Sequence, residues 1–328
     1  MMYKLLPTRV FRAYSGGVHL DEWENKQIPQ ITRFPEDWLA SVTQAFNPGR
    51  EEATEGLSIT EDGQYLKQLI ENDPEGMLGK HKAMTLLFKL LDTNERLVIQ
   101  VHPNVSFAKQ YFKSNYGKTE CWYFLNDGGY VYLGFREGIT KEYWRSLFES
   151  QNIPAMLKCM HRFDVKKGQM IFVNGGVPHA IGAGCFLAEL QEPTDLMVIP
   201  ERITPSGVVL SEHKLHGGLG FERMMDCFIY HGASREETFR KHFCTTKKLD
   251  DSMTVLVDES ITDKFRLIKL EIQNEYQLTL DSYAIVIVIN GCIRINNVPL
   301  KKGDRLFVTA NQHELCIKGN GELLISMP

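Results

Sequence analysis

The stretch RLVIQVHPNVSFAKQYFKSNYGKTECWYFL, residues 96–125, decides how this chain is read. It opens as an apolar strand, yet Gln100 and His102 interrupt it two positions apart. Alternate residues of a strand point to the same face, about 6.6–6.8 Å apart, so both side chains aim into one space. Two polar groups on the buried face of a strand need partners. Glu120, in Lys-Thr-Glu, leads into the next strand and can present its carboxylate to the same spot. A fourth member is His179, in FVNGGVPHAIGAG, just past a Gly-Gly turn where a strand would re-enter a barrel. Two imidazoles, a carboxylate and an amide oxygen suit Zn²⁺ or another divalent first-row ion. A lone histidine on an apolar strand is ordinarily a hydrogen-bonded core or surface residue. Only the Gln-x-His pair, taken with Glu120 and Pro178-His179, turns the reading toward a metal.

Outward from this stretch the texture is mainly β. The segment from Met84 to Val101 is strand-like, and CWYFL and YVYLGF, joined by Asn126-Asp127-Gly128-Gly129, read as a hairpin. Residues 139–161 switch to a period of about 3.6, with Thr140 as N-cap, and form a helical insertion. Residues 1–60 read as irregular, broken at Gly16-Gly17, Pro29, Pro35 and Asn47-Pro48-Gly49. EDGQYLKQLIENDPEGMLG reads as a helix stopped at Asp73-Pro74. Residues 212–245 look like a helical or mixed connector, and from about Met253 to the end the chain is nearly all strand. VKKGQMIFV (165–173) and LKKGDRLFV (300–308) share Lys-Lys-Gly and Phe-Val at the same offsets, which fits two barrels of related design. The match to His179 in the second copy is Glu314, beside His313, with no Gln-x-His before it. Only the first barrel is therefore expected to carry a metal. The expected units are residues 1–245 and 246–328.

The totals exclude several function classes. The chain has 328 residues and a net charge of −4, from 37 basic and 41 acidic residues, with no basic stripe; nucleic acid is not an expected partner. The longest purely apolar run, Tyr283 to Ile289, falls well short of the roughly 20 residues a spanning helix needs. The N-terminal MMYKLLPTRVFRAY lacks the apolar core and cleavage site of a secretory signal. Seven cysteines are scattered singly, which argues against a disulfide framework or thiolate zinc site and for a reducing, cytoplasmic setting. Oligomeric state leaves no trace in the sequence.

IQVHPN, GKTECWYFL, GVPHAIGAG and LQEPTD, in this order, resemble the type I mannose-6-phosphate isomerases, zinc enzymes of the cupin superfamily. The likeness runs from about Thr8 to Asp226 and more loosely through the C-terminal region. It implies two cupin (jelly-roll) β-barrels with a helical insertion and connecting helices, and one zinc per chain. The implied reaction interconverts mannose 6-phosphate and fructose 6-phosphate. The family's zinc ligands fall on Gln100, His102, Glu120 and His179, its active-site lysines on Lys89 and Lys118, and its aspartate on Asp195. The chemistry needs a divalent cation to stabilise an enediolate, a base to shuttle a proton between C1 and C2, and cations to meet the phosphate; Lys118 is the first candidate for the last role.

One departure stands out. Family members carry an arginine four residues after the aspartate, whereas this chain has Ile199, and Arg202 is the expected substitute provided a local bulge turns it inward. Val98 likewise stands where relatives often have a small hydroxyl residue. His213 and His216 have helical spacing but no acidic companion. Trp38 and Trp144 read as packing residues and Asp304 as a turn residue. Two other readings stay open on sequence grounds: a non-catalytic cupin sugar-binding or regulatory module, and an Fe²⁺ oxidoreductase built on two histidines and a carboxylate.

Overall fold

The computed structural model describes residues 1–47, 49–50 and 54–328; Pro48, read above as a breaker, lies outside them. Among the described residues the strands form three antiparallel sheets, of nine, six and three strands, and the fold is mainly β as expected.

The six-stranded sheet carries the site. Its order is Arg9–Val10, Glu36–Leu39, Leu87–Asp92, Phe186–Gln191, Glu120–Phe124 and Met170–Val173. Side chains alternate between its faces. Phe88, Leu90, Cys121, Tyr123, Ala188, Leu190 and Phe172 face one core, while Trp122, Phe124, Ile171, Val173 and Leu187 face another. The second core is closed by Val131, Leu133, Phe163 and Ile181 from the three-stranded sheet, making the inside of the N-terminal jelly roll. The first core is completed by Leu267, Ile285, Ile287, Phe307 and Leu324 of the nine-stranded sheet and by Tyr283 just before one of its strands. Burial on both faces explains why LLFKLLD reads as a nearly continuous apolar run rather than as an alternating one. The nine-stranded sheet curls around its own apolar interior of Leu270, Val286, Val288, Ile317, Leu323 and Ile325.

Two sequence readings need correction. CWYFL and YVYLGF do not pair with each other. Glu120–Phe124 pairs with Phe186–Gln191 and Met170–Val173, whereas Tyr130–Phe135 pairs with Met160–Asp164 and His179–Ile181 in the other sheet. The Asn-Asp-Gly-Gly turn is a corner between sheets, because both edges of Glu120–Phe124 are already occupied. Residues 1–60 are also not irregular throughout. Met2–Leu5 pairs with Arg305–Val308, so the first strand lies across the expected 245/246 boundary, in the C-terminal sheet. A buried ion pair ties the two regions together at the same place. Asp37 and Arg305 are in contact with side chains 1% and 3% exposed.

The helical insertion comprises Lys141–Glu149, capped by Thr140 accepting from the Tyr143 N–H at 3.2 Å, and Ile153–Lys158. Trp144 packs against Phe135 and Phe228. The two Lys-Lys-Gly turns share a backbone solution: Gly168 and Gly303 both have positive φ, and each leads into a strand. Asp304 closes its turn by accepting from the Lys301 N–H at 2.9 Å. All seven cysteines are free.

Candidate active site

Gln100 and Val101 are held as isolated bridge residues rather than within a long strand. Gln100 pairs with His179 through two 2.9 Å backbone hydrogen bonds, and Val101 pairs with Val198. That pairing brings the two halves of the expected set together. The chain then turns at His102-Pro103-Asn104, which is gripped between two glycines. A Cβ on Gly117 would meet the Pro103 carbonyl oxygen at 2.6 Å, and one on Gly175 would meet Asn104 Cα at 2.6 Å. The spacing in Gly-Lys-Thr-Glu and Asn-Gly-Gly is therefore set by backbone clearance. Glu192 fixes the other side of this turn, accepting from the Gly117 and Thr119 N–H groups at 3.2 and 2.9 Å.

His102, Glu120 and His179 converge, with one ligand atom from each lying within 4.8 Å of the others. All three are buried. Each histidine can donate its Nδ1–H to a carbonyl at 2.9 Å, His102 to Leu196 and His179 to Val177, which leaves both Nε2 lone pairs facing the carboxylate. His102 Nε2 lies 3.2 Å from Glu120 Oε2, and His179 Nε2 lies 3.3 Å from Glu120 Oε1. Glu120 Oε1 and His179 Nε2 have no hydrogen-bond partner although both are buried. Lone-pair-bearing atoms facing one another without protons between them call for a cation, and the donor set fits a divalent metal. The surroundings agree. Burial, and after it Lys118, push the His102 pKa down to about 4, and burial lowers that of His179, so both rings are neutral ligands near neutral pH. Burial alone would raise the Glu120 pKa, but Lys118 and His102 outweigh it and hold the carboxyl well below its usual range.

Lys118 Nζ reaches His102 Nε2 at 2.7 Å and Glu120 Oε2 at 2.8 Å. It thus touches two members of the convergent set directly. Gln100 and Lys118 both line a cavity of about 340 Å³, ample for a hexose phosphate.

The cavity wall holds a charged cluster that sequence reasoning largely missed. Trp38, Lys89, Glu189 and Trp122 are successive register partners across four neighbouring strands, so they share a face. Trp122 packs edge-on against His179, while Lys89 donates to Glu189 at 3.1 Å and lies over the Trp38 ring. Arg12 donates through Nε to Glu36 at 2.9 Å and grips Asp195 with both terminal nitrogens, at 3.1 and 3.2 Å. Glu36 also accepts from Tyr14 Oη and Trp38 Nε1. Burial raises the Glu36 pKa, but Arg12 and Lys89 more than reverse this and bring it to about 2. Asp195 is likewise held well below the carboxylate range, with Arg12 outweighing burial. Trp38 is therefore more than a packing residue.

Arg202 needs correction. It is exposed, and its guanidinium lies over Phe148 and Phe221, at 5.0 and 5.2 Å from their ring centroids. Ile199, by contrast, lines the cavity. Residues 199–202 do not form a strand, and Arg202, at a bend, does not line the cavity. The guanidinium beside Asp195 comes instead from Arg12, in RVFRAY. The aromatic and paired carboxylate flanking it, Trp38 and Glu36 two apart on one strand, were its only sequence signal. His213 stacks edge-on against Phe46, and His216 Nδ1 accepts from the Gly218 and Gly220 N–H groups, closing a helix end.

Comparison with known proteins agrees with this geometry. Residues 27–121 match the family model described as phosphomannose isomerase type I, catalytic domain, and residues 258–328 match that described as mannose-6-phosphate isomerase, cupin domain. The chain is 27% identical over 278 residues to the probable mannose-6-phosphate isomerase GmuF of Bacillus subtilis, covering 81% of this chain and 82% of that protein. It is 33% identical over 147 residues to a mannose-6-phosphate isomerase of Streptococcus mutans, covering 43% and 45% of the two chains. The crystal structure of the mannose 6-phosphate isomerase from Bacillus subtilis superposes with a TM-score of 0.78 at 22% identity, over 100% of this chain and 99% of that one. By matched family models, relatives and cupin fold together, the chain belongs to the type I mannose-6-phosphate isomerases.

Proposed function

We propose that the protein is a zinc-dependent aldose–ketose isomerase that interconverts mannose 6-phosphate and fructose 6-phosphate in the cytoplasm, with residues 1–245 as the catalytic unit and 246–328 as a supporting barrel. The observation that carries the proposal is the convergence of two neutral imidazole Nε2 atoms and one carboxylate beside Lys118, which itself lines a sugar-sized cavity. His102, Glu120, His179 and Gln100 would hold the metal. Bound there, it would supply Lewis-acid stabilisation for the sugar oxygens that gain negative charge in the enediolate.

The remaining work falls to the chain. Lys118 Nζ sits where it can hold or move a proton beside those oxygens, and is the residue we assign to proton handling. Asp195 is held as a carboxylate by Arg12 and is therefore a weak base; its role is to fix the Arg12 guanidinium in the cavity wall. Lys89 is neutralised by Glu189 and anchors that wall from the neighbouring strand. Arg202, facing Phe148 and Phe221, has no part in the reaction.

The test is a coupled assay on mannose 6-phosphate with metal analysis of the purified protein. His102→Ala is expected to lose bound metal and most activity while the circular-dichroism spectrum stays native. Full metal retention in that variant would refute the ligand assignment. Metal-loaded parent protein without turnover would favour the sugar-binding module.

A further inference from the structure

The chain carries a net charge of −4, yet the lining of the cavity beside Gln100 and Lys118 is cationic. Six basic side chains line it, Arg12, Arg33, Lys89, Arg96, Lys118 and Lys214, against three carboxylates, Glu36, Glu189 and Asp195. A local excess of this sign on an otherwise acidic protein concentrates anions in the cavity.

Four of the six are already committed. Arg12 is ion-paired with Glu36 and Asp195, Lys89 with Glu189, Lys118 with Glu120, and Arg96 with Glu201 at 2.6 and 2.9 Å. Lys214 and Arg33 differ. Among the described residues neither has a carboxylate as an ion-pair partner. Lys214 donates only to the Phe46 carbonyl, at 3.1 Å, with its ammonium over the Phe46 ring at 5.3 Å from the centroid. Two of its three donor hydrogens are left for a ligand. Burial lowers its pKa, with Asp195 offsetting part of that, so an anion arriving beside it would recover a desolvation cost the fold has already borne. Both residues stand toward the mouth. Arg33 is exposed, and Lys214 is half-buried beside the exposed Glu212 and His213, whereas Lys118 is 3% exposed.

We propose that Lys214 and Arg33 form the clamp for the substrate's phosphate monoester, leaving Lys118 and Lys89 to the sugar end. The assignment rests on the isomerase reading for the identity of the sugar, but not for the anion. It also gives a purpose to the start of residues 212–245, which read as a helical or mixed connector in the sequence. The phosphate at the mouth and Gln100 on the wall would together set which sugar carbons reach Lys118.

The experiment measures inorganic phosphate binding by titration calorimetry on metal-loaded protein, and on His102→Ala as the metal-depleted control, together with KM and kcat of the metal-loaded proteins for mannose 6-phosphate. Lys214→Met should weaken phosphate binding and raise KM by about 10- to 100-fold, the range for losing a hydrogen bond between charged groups, with kcat changed far less. Lys214→Arg should recover most of this. Arg33→Met, at an exposed position, should weaken phosphate binding in the same direction and carries the test alone if Lys214→Met does not fold. His102→Ala should leave phosphate binding intact. Unchanged phosphate affinity in both methionine variants would overturn the proposal, as would loss of binding in His102→Ala, which would put the anion on the metal. If Lys214 governs phosphate binding but mannose 6-phosphate is not turned over, the clamp stands and the isomerase reading fails.

Discussion

Replacing Arg12 with methionine tests whether this guanidinium is what the site uses beside Asp195. In the folded protein the Arg12, Glu36 and Asp195 side chains are each only 7% exposed, and three charge-assisted contacts of 2.9–3.2 Å join them. Methionine keeps an aliphatic chain but removes the guanidinium that lies over Trp38, and leaves two buried carboxylates without their main partner. Breaking a buried pair in this way costs about 3–5 kcal/mol, with Lys89 at 3.9 Å from Glu36 recovering a fraction. The loss should depend on pH, and its sign follows from linkage. In the parent, the Glu36 pKa is about 2 and Asp195 is lowered in the same direction, so their stabilisation is full above the unfolded-state carboxylate range and fades as pH falls through the folded pKa. Without Arg12 both carboxyls move upward and take up protons when folded. The stability gap between parent and variant should then be largest near pH 8 and shrink toward pH 5. Urea denaturation at both values reads the gap, and the coupled assay reads kcat, which should fall by about 10²–10³ on loss of a placed stabilising donor. A gap below about 1 kcal/mol that does not change with pH, together with parental kcat, would show that Arg12 is incidental and the cluster self-sufficient.

Two further outcomes separate the site from its surroundings. Arg202→Ala should leave kcat and KM within about twofold of the parent, since it removes only surface stacking on Phe148 and Phe221; a 100-fold loss of kcat would restore Arg202 to the site. Arg305→Met should cost about 3–5 kcal/mol in urea denaturation by stranding Asp37, and Asp37→Asn in the same chain should recover much of it; independent, additive losses would deny the coupling.

The metal end was legible because it is written in local chemistry. Gln-x-His on an apolar run, a glutamate opening the next strand and a histidine after Gly-Gly are short-range patterns, and their convergence follows from one backbone pairing, Gln100 with His179. What the sequence hid depends on long-range register. Arg12 meets Glu36 across 24 positions and Asp195 across 183, and it sits in a segment with no periodic signal. The false hairpin arose for a related reason. Turn chemistry at Asn126–Gly129 marks where the chain reverses but not which strand it will join, and that choice was made by Met170–Val173 and Phe186–Gln191 occupying both edges of Glu120–Phe124.

The two ends of the cavity are held by different kinds of structure, and that difference bears on function. Glu120 rides on a sheet buried on both faces, His179 on the three-stranded sheet, and His102 on a turn locked between Gly117 and Gly175, where a shift of a few tenths of an ångström meets backbone. Close packing resists such shifts, which suits chemistry that needs fixed geometry. Lys214 and Arg33 lie instead on the five-residue helix Glu212–His216 and on a non-regular segment, both toward solvent. Substitutions there are cheap in stability. Ile199 shows the same logic from the other side, because a guanidinium expected from one strand is absent and another arrives from Arg12 without disturbing His102, Glu120 or His179. Charge around the substrate can therefore be redistributed among loops and edge strands while the metal floor stays fixed. Substrate preference should accordingly change more readily than the reaction itself.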